Sequence, residues 1–408
     1  MRAFVWMFSL LGGIILLVPI GWCQELDDFL ERVGKSLLKK QVDEAKLQRW
    51  RAPFERDAEL YTVRTADGWT LVAHRYRPRS TSAKSSDPVI LCHGLGYNAL
   101  FWDLEWHCSF AQYLAQRGYD VWAVSLRGAG LSQKWVWKLD TAPTLLIGDL
   151  VRRATNNRIA PTGFATVDPK YANWTLDDHI TYDVAAFVYL VQHHTQAKEV
   201  TWIGHSMGGI IALGHLARYK NPGIARLVTV GSQMTMPPGQ LPIQFITEML
   251  HLRERELVGK ITPEQVSQEV KTSVENMFFN ENNTHPKVYQ ALTTWAKEVP
   301  AVGVLRQYLV LAKEHELWDQ KKHFNYAKAL AQVQVPVLIT CGAADQLAPP
   351  EVQQYLYKNV GSKQKTLLIF GRQQGFSVDA GHNDALVGLK SRKEIYPVLE
   401  RWIRTGKP

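Results

Sequence analysis

The chain has 408 residues, of which 46% are hydrophobic and 21% charged, as in a globular protein larger than one typical domain. Its formal net charge of +9 is spread along the sequence without a compact basic block among aromatic residues, which argues against nucleic-acid binding. Solvated faces explain this charge, and attraction to an anionic membrane surface is the alternative. The four cysteines fit neither a disulfide scaffold nor a zinc site, so no metal or other cofactor is implied.

An uncharged stretch near the start of the chain runs from Ala3 to Trp22. As a helix it would be about 30 Å long, enough to cross a bilayer. We therefore expect residues 1–23 to be a signal peptide or a membrane anchor, and Gly21 and Cys23 fit the small residues before a cleavage site. A basic residue before the stretch and acidic residues after it predict an exported chain, whether periplasmic, secreted or anchored with the bulk of the chain outside the cytoplasm.

The segment 24–57 is predicted to be helical, because apolar residues recur in it near helical spacing. Two strands at 60–64 and 70–76 should follow, joined as a hairpin by the turn Ala66-Asp67-Gly68.

From residue 88 onward, short apolar runs alternate with helical runs. Near-continuous apolar strands between helices predict an α/β protein whose mostly parallel sheet carries helices on both faces. Together with the hairpin, the sheet should have eight strands. The later strands are predicted at 88–92, 120–124, 200–203, 227–230, 335–340 and 367–370, and the helices near 104–116, 176–193, 207–217, 351–358 and 393–403.

Two segments interrupt this alternation and divide the predicted core into 58–231 and 331–408. The first is a loop-rich insertion at about 133–175, and the second is a helical segment at 232–330. We expect the second to form a cap over the carboxyl ends of the strands, where α/β sheets bind ligands. Its apolar side chains would face a substrate or, alternatively, form the core of the cap itself: Met234, Met236, Phe245, Met249, Met277, Phe278, Phe279, Trp295 and Tyr308.

The pentapeptide Gly204-His205-Ser206-Met207-Gly208 stands between a predicted strand and a predicted helix. A sharp turn from strand to helix forces its apex residue into a strained conformation and exposes that side chain to substrate. This pattern is typical of a nucleophile elbow, with Ser206 as the nucleophile.

A serine nucleophile requires a base, and the base requires an acid that orients it. In elbow enzymes the order along the chain is serine, acid, histidine. Asp345 follows the strand predicted at 335–340, and His382 lies in the loop after the strand predicted at 367–370. We therefore predict Ser206, Asp345 and His382 as the catalytic residues, with Asp379 and Asp384 as alternative acids.

The reaction also requires two hydrogen-bond donors for the oxyanion that develops. The backbone N–H of Met207 should supply one donor, because this residue follows the nucleophile. The loop after the strand 88–92 should supply the other, with Leu95 as the predicted donor and Gly96 as the alternative. We expect His93 to hold this loop in shape by hydrogen bonding.

These motifs together resemble the α/β-hydrolase superfamily over about residues 58–405. The residues 118–122 and the stretch from Tyr182 to the elbow are similar to the acid lipase group. Met207 stands where that group usually has Gln, and the Leu-Arg-Gly-Ala-Gly turn is commoner among bacterial esterases and monoacylglycerol-type lipases. The motifs that carry the superfamily resemblance are His93-Gly94, the run from Leu126 to Ser132, the run from Gly204 to Gly209, Asp345 and Gly381-His382.

The sequence and this resemblance predict a serine hydrolase, a lipase or esterase, that cleaves carboxylic esters of apolar or lipid-like acyl groups through an acyl-enzyme. The expected partner is a small-molecule ester or lipid substrate, and no cofactor is required. An acyltransferase would use the same three residues, and peptidase action is a further alternative. A binding protein that keeps the fold without catalysis is the alternative from another class.

Overall fold

The computed structural model describes residues 6–11, 14–19, 58–80, 87–104, 107–134, 173–220, 222–237, 243–257 and 277–408. The chain forms two compact units, one made of Met1–Pro53 with Lys134–Tyr171 and the other of Phe54–Gln133 with Ala172–Pro408. The helical segment predicted at 24–57 and most of the insertion predicted at 133–175 lie outside the described residues.

In the first unit, strands β1 (Trp6–Leu11) and β2 (Ile14–Pro19) pair in antiparallel register. The residues Trp6–Leu11 and Ile14–Pro19 are thus extended and not helical. Leu11 pairs with Ile14, so only two glycines separate the strands, and a two-residue Gly-Gly link favours a hairpin. Among the described residues, no helix is long and apolar enough to span a membrane. The signal peptide or anchor at 1–23 stays a prediction.

The second unit contains an eight-stranded sheet. Its strands are β3 (Glu59–Arg64), β4 (Thr70–Tyr76), β5 (Val89–Cys92), β6 (Val121–Ser125), β7 (Val200–His205), β8 (Ile224–Val230), β9 (Val337–Gly342) and β10 (Lys365–Phe370). They lie in the order β10-β9-β8-β7-β5-β6-β4-β3. β3 and β4 form the predicted antiparallel hairpin, β4 also runs antiparallel to β6, and the remaining pairs are parallel. The predicted mostly parallel sheet is therefore confirmed.

Helices accompany the strands on both faces of the sheet. The helix α1 (Phe110–Gln116) connects β5 to β6, whereas α2 (Val184–Thr195) connects β6 to β7 on the other side of β5. These two connections run across the sheet in opposite directions, and right-handed connections in opposite directions place their helices on opposite faces. The main helices are α1 (Phe110–Gln116), α2 (Val184–Thr195), α3 (Met207–Arg218), α4 (Ile243–Leu257), α5 (Pro286–Ala291), α6 (Val302–Glu314), α7 (Pro350–Asn359) and α8 (Tyr396–Thr405).

The reversal of connection direction at β5 positions the candidate site. In open α/β sheets, ligands bind outside the carboxyl ends of the strands at such a switch point. Cys92 pairs with Gly204, so β5 and β7 end side by side. The loops that carry Leu95 and Ser206 therefore start from neighbouring points on one edge of the sheet.

The segment between β8 and β9 contributes α4, α5 and α6. Leu250, Val302 and Leu305 form a buried apolar cluster there, and the partly buried Leu95 and Met249 pack against it. This segment therefore touches the loop after β5.

A buried ionic network supports the loop after β6. The Arg127 guanidinium pairs with Asp183 at 2.7 Å and with Asp67 at 2.6 Å, and His179 Nδ1 lies 2.7 Å from the second oxygen of Asp183. Burial would raise the pKa of Asp183, but the Arg127 charge and the hydrogen bonds from His179 and Arg127 hold this pKa below its usual value. The β3–β4 turn, the loop after β6 and the start of α2 are thereby tied together.

Candidate active site

Ser206 occupies the turn between β7 and α3. Its backbone has φ 50° and ψ −117°, a conformation that costs a residue with a side chain about 1–3 kcal/mol. A Cβ atom at Gly204 would collide with the backbone of Gly208 and Gly209, so a side chain has no room there. The pentapeptide thus forms the sharp strand-to-helix turn that its sequence predicts.

His382 and Asp345 lie together, although the loops after two different strands carry them. His382 Nδ1 is 2.9 Å from Asp345 Oδ2, and each residue is only 3% exposed. The other carboxylate oxygen accepts hydrogen bonds from the N–H groups of Leu347, at 2.9 Å, and Ala348, at 2.8 Å. Because a carboxylate only accepts, Nδ1 of His382 carries the proton and Nε2 is left as an acceptor.

The two alternative acids have other partners. Asp379 Oδ1 accepts from the backbone N–H of Arg372 at 2.8 Å. The buried Asp384 accepts from the N–H groups of Gly381, at 3.0 Å, and Asn280, at 2.9 Å, and burial raises the pKa of Asp384. These contacts assign both carboxylates to shaping the loop around His382, and among the three candidate acids only Asp345 pairs with the histidine ring.

The loop after β5 passes close to Ser206. A Cβ atom at Gly94 would lie 3.0 Å from Ser206 Cβ, so a glycine is required for this approach. Met207 is the first residue of α3, where N–H groups have no partner within the helix. Within the described part of the chain, no hydrogen bond uses the N–H of Leu95, Gly96 or Met207. The N–H groups of Leu95, the predicted donor, and of Gly96, its alternative, can thus both still donate to an oxyanion.

His93 holds the loop after β5 through both ring nitrogens. Nδ1 donates to the Gly94 carbonyl at 2.9 Å, and Nε2 accepts from the N–H of Leu126 at 3.2 Å. The ring is buried, and burial lowers its pKa to about 4. His93 is therefore neutral at physiological pH and bonds the loop as its sequence position predicts.

Sequence reasoning missed two residues that touch the histidine loop. His205 Nε2 donates to the His382 carbonyl at 3.1 Å while its ring stacks on Phe101, 4.6 Å between centroids. The Tyr97 hydroxyl accepts from Asn383 Nδ2 at 2.8 Å. The elbow motif does not specify the residue before its serine, and Tyr97 lies 286 residues from Asn383 in the sequence. No local sequence pattern therefore predicts either contact.

An apolar cavity of about 150 Å³ opens onto Ser206 and His382. Gly94, Leu95 and Gly96 also line it. Met234 and Met236 are buried in the core instead, at 0% and 1% exposure. From the apolar set predicted in 232–330, the cavity is lined by Met249, Phe278, Phe279 and Tyr308. In the described ranges, no group of three or more His, Cys, Asp and Glu side chains could hold a metal ion.

Comparison with protein families gives a match to the model described as alpha/beta hydrolase fold over residues 87–389. Lipase member K of Homo sapiens is 28% identical over 210 residues, which cover 49% of this chain and 44% of that protein. A probable lipase of Schizosaccharomyces pombe is 26% identical over 167 residues, covering 40% of this chain and 31% of that protein. The chain thus spans less than half the length of these relatives. Lipase lipl-1 of Caenorhabditis elegans is 23% identical over 397 residues, covering 87% of this chain and 89% of that protein.

Solved structures resemble the chain in fold. A thermophilic esterase from Thermogutta terrifontis has a TM-score of 0.55 at 16% identity and covers 86% of this chain and 100% of its own. An esterase from Exiguobacterium antarcticum has a TM-score of 0.54 at 17% identity, covering 84% of this chain and 99% of its own. At these identities the likeness concerns the fold alone.

Acidification below pH 6.5 should destabilise the protein, because His93 stays neutral in the folded state down to about pH 4. In the unfolded chain the imidazole binds a proton near pH 6.5. Between about pH 6.5 and pH 4 the unfolded state therefore holds more protons than the folded state, so the free energy of unfolding falls as the pH falls. For His93 alone we expect the free energy of unfolding to drop by about 2 kcal/mol from pH 7 to pH 5. Urea denaturation at the two pH values measures this drop. His93→Gln should reduce it and the exposed His193→Gln should not, whereas equal drops in wild type and His93→Gln would refute the assignment.

Proposed function

The chain belongs to the alpha/beta hydrolase family, and on this premise we propose that it is a serine hydrolase of the lipase and esterase type that cleaves carboxylic esters with a substantial apolar acyl group. One observation carries the proposal: a strained serine turn and the histidine of a buried histidine–carboxylate pair line the same apolar cavity. The lipase names of the sequence relatives support this reaction class.

In the proposed reaction, Ser206 attacks the ester carbonyl while His382 Nε2 accepts the hydroxyl proton. Asp345 holds the ring in the tautomer that leaves Nε2 basic, and its charge stabilises the imidazolium that forms. The N–H groups of Leu95 and Met207 bind the oxyanion, where each such donor contributes a factor of about 10² to 10³ in rate. His382 then returns the proton to the departing alcohol, and water repeats the sequence on the acyl-enzyme.

The lining of the cavity supports an apolar acyl group. Met249, Phe278 and Phe279 face the same space as Ser206. We propose that the segment 232–330 acts as a cap whose apolar side chains bind the acyl chain. Burial of each methylene group there stabilises the complex by about 0.8 kcal/mol.

We also propose that the chain is exported from the cytoplasm. The uncharged stretch before residue 23 supports export. Solvated faces explain the net charge of +9, and contact with an anionic membrane surface is the alternative. Sequencing of the amino terminus of protein recovered from outside the cytoplasm would test export, and recovery of the full-length chain in the cytoplasm alone would contradict it.

Ser206→Ala should lower kcat for p-nitrophenyl butyrate by at least about 10³-fold, because the remaining groups provide no nucleophile. Steady-state hydrolysis with purified protein measures this loss. The matched control is Ser377→Ala, since Ser377 is exposed and its hydroxyl bonds Glu394, so activity should be retained. Hydrolysis at the wild-type rate by Ser206→Ala would contradict the assignment of Ser206 as the nucleophile.

Addition of an acceptor alcohol separates hydrolysis from acyl transfer, since an acyltransferase would yield mainly the new ester.

Asp345→Asn should lower kcat by about 10³ to 10⁴-fold, because an amide at this position favours the wrong tautomer of His382. Asp379→Asn is the matched control: this carboxylate is close to His382 in sequence but accepts from Arg372, so kcat should stay near wild type. Measurement of kcat for both variants decides between the acids. A larger loss in Asp379→Asn than in Asp345→Asn would reverse the assignment.

The value of kcat/KM should rise about tenfold from p-nitrophenyl acetate to butyrate, since two added methylenes contribute about 1.6 kcal/mol when buried. A series from acetate to palmitate measures this preference. Met249→Trp fills part of the cavity and should lower the rate for octanoate while leaving acetate unaffected. A preference for acetate would remove the lipase interpretation and leave a short-chain esterase.

A further inference from the structure

The segment between β8 and β9 is joined to the loop after β5 by backbone contacts. The N–H of Glu298 donates to the Gly96 carbonyl at 2.7 Å. Next to this bond, Tyr97 and Lys297 form an isolated antiparallel bridge. The residues on both sides of this contact, Gly96 and Tyr97 on one side and Lys297 and Glu298 on the other, line the cavity that contains Ser206.

The Glu298 side chain adds a junction between three segments. Its Oε1 accepts from Asn98 Nδ2 at 2.9 Å and from the N–H of Gly130 at 2.8 Å. Asn98 is only 3% exposed, also donates to the Trp295 carbonyl at 3.1 Å, and accepts from the N–H of Leu100 at 2.9 Å. One carboxylate oxygen thus connects the loop after β5, the loop after β6 and the segment around residue 298.

The loop after β5 depends on such outside contacts for a fixed shape. In the described part of the chain, the ladder of β5 ends at Cys92, and the loop after it contains Gly94 and Gly96, the latter at φ +74°. Glycine restricts the backbone less than any other residue. The N–H of Leu95 can serve as an oxyanion donor only if it is held within about 0.5 Å of its productive position.

We propose that Glu298 is a positioning residue that fixes the loop Gly94–Asn98 so that its backbone donor faces the oxyanion. This inference rests on the proposed serine hydrolase reaction. Glu298 acts as a hydrogen-bond acceptor for Asn98 and Gly130, a task that an uncharged Gln oxygen at the same place also performs. These two bonds require an acceptor oxygen at this distance from the backbone, and Gln supplies both.

The test compares Glu298→Ala, Glu298→Gln and Glu298→Asp. Removal of the acceptor should lower kcat for p-nitrophenyl butyrate about 10- to 100-fold with KM changed less than about threefold, because a misplaced donor affects the transition state more than substrate binding. Glu298→Gln should stay within about threefold of the wild-type kcat, since the Gln oxygen keeps both bonds. Glu316→Ala is the matched control, because that carboxylate accepts from Asn325 in the same helical segment.

A second readout separates positioning from a general loss of structure. A trifluoromethyl ketone forms a tetrahedral adduct at a serine and places an oxyanion in the hole. Its affinity should fall in Glu298→Ala by the same factor as kcat/KM, while Glu316→Ala leaves it unchanged. If Glu298→Ala does not fold, Glu298→Asp carries the test, because its shorter side chain cannot reach both Asn98 and Gly130.

Three results would overturn the inference: wild-type kcat in Glu298→Ala and Glu298→Asp, an equal loss of kcat in Glu298→Gln and Glu298→Ala, or a rise in KM alone. The variant Ser206→Ala shows whether the positioning role of Glu298 fails alone or together with the proposed function. If that variant is inactive while Glu298→Ala is fully active, only the positioning role of Glu298 fails. If Ser206→Ala is active, the proposed function fails as well.

Discussion

The backbone of Ser206 is the constraint on which the rest of the site depends. A serine at φ 50° is held there only when its surroundings outweigh the strain. Its N–H donates to the Val230 carbonyl at 2.8 Å, and its carbonyl accepts from the Ser232 hydroxyl at 2.8 Å. These bonds come from β8 and the residues after it, while Gly204 and Gly208 leave room for the turn. The order of the parallel strands thus determines where a reactive side chain can stand.

The sequence predicted those features that local patterns encode. Apolar runs of four to six residues between helices predicted six of the eight strands of the second unit, and Asp345 and His382 were predicted as acid and base because each follows such a run. A helix at 104–116 was expected too early, since the chain first forms a turn at Ala99–Trp102 and α1 begins only after the Ser109 cap, which accepts from Gln112 N–H at 3.1 Å. Across Trp6–Pro19, two apolar runs separated by glycines fit a helix or a hairpin equally well by hydropathy alone.

The features that the sequence did not predict are contacts between residues far apart in the chain. Glu298 meets Asn98 across 200 residues, and neither residue stands in a motif that names the other. Such pairs arise from the packing of the segment between β8 and β9 against the core loops, which periodicity does not specify. The segment therefore has two proposed tasks, since it lines the cavity for the acyl chain and holds the loop that carries an oxyanion donor.

The central claim is that Ser206, made reactive by His382 and Asp345, is the nucleophile of this cavity. The most direct measurement is reaction of the purified protein with a fluorophosphonate probe, followed by peptide mapping and assay of the remaining esterase activity. We expect one probe per chain, attached to the peptide that contains Ser206, with activity lost in proportion to labelling. Full labelling of Ser206 with activity retained, or loss of activity with the label on another residue, would contradict it.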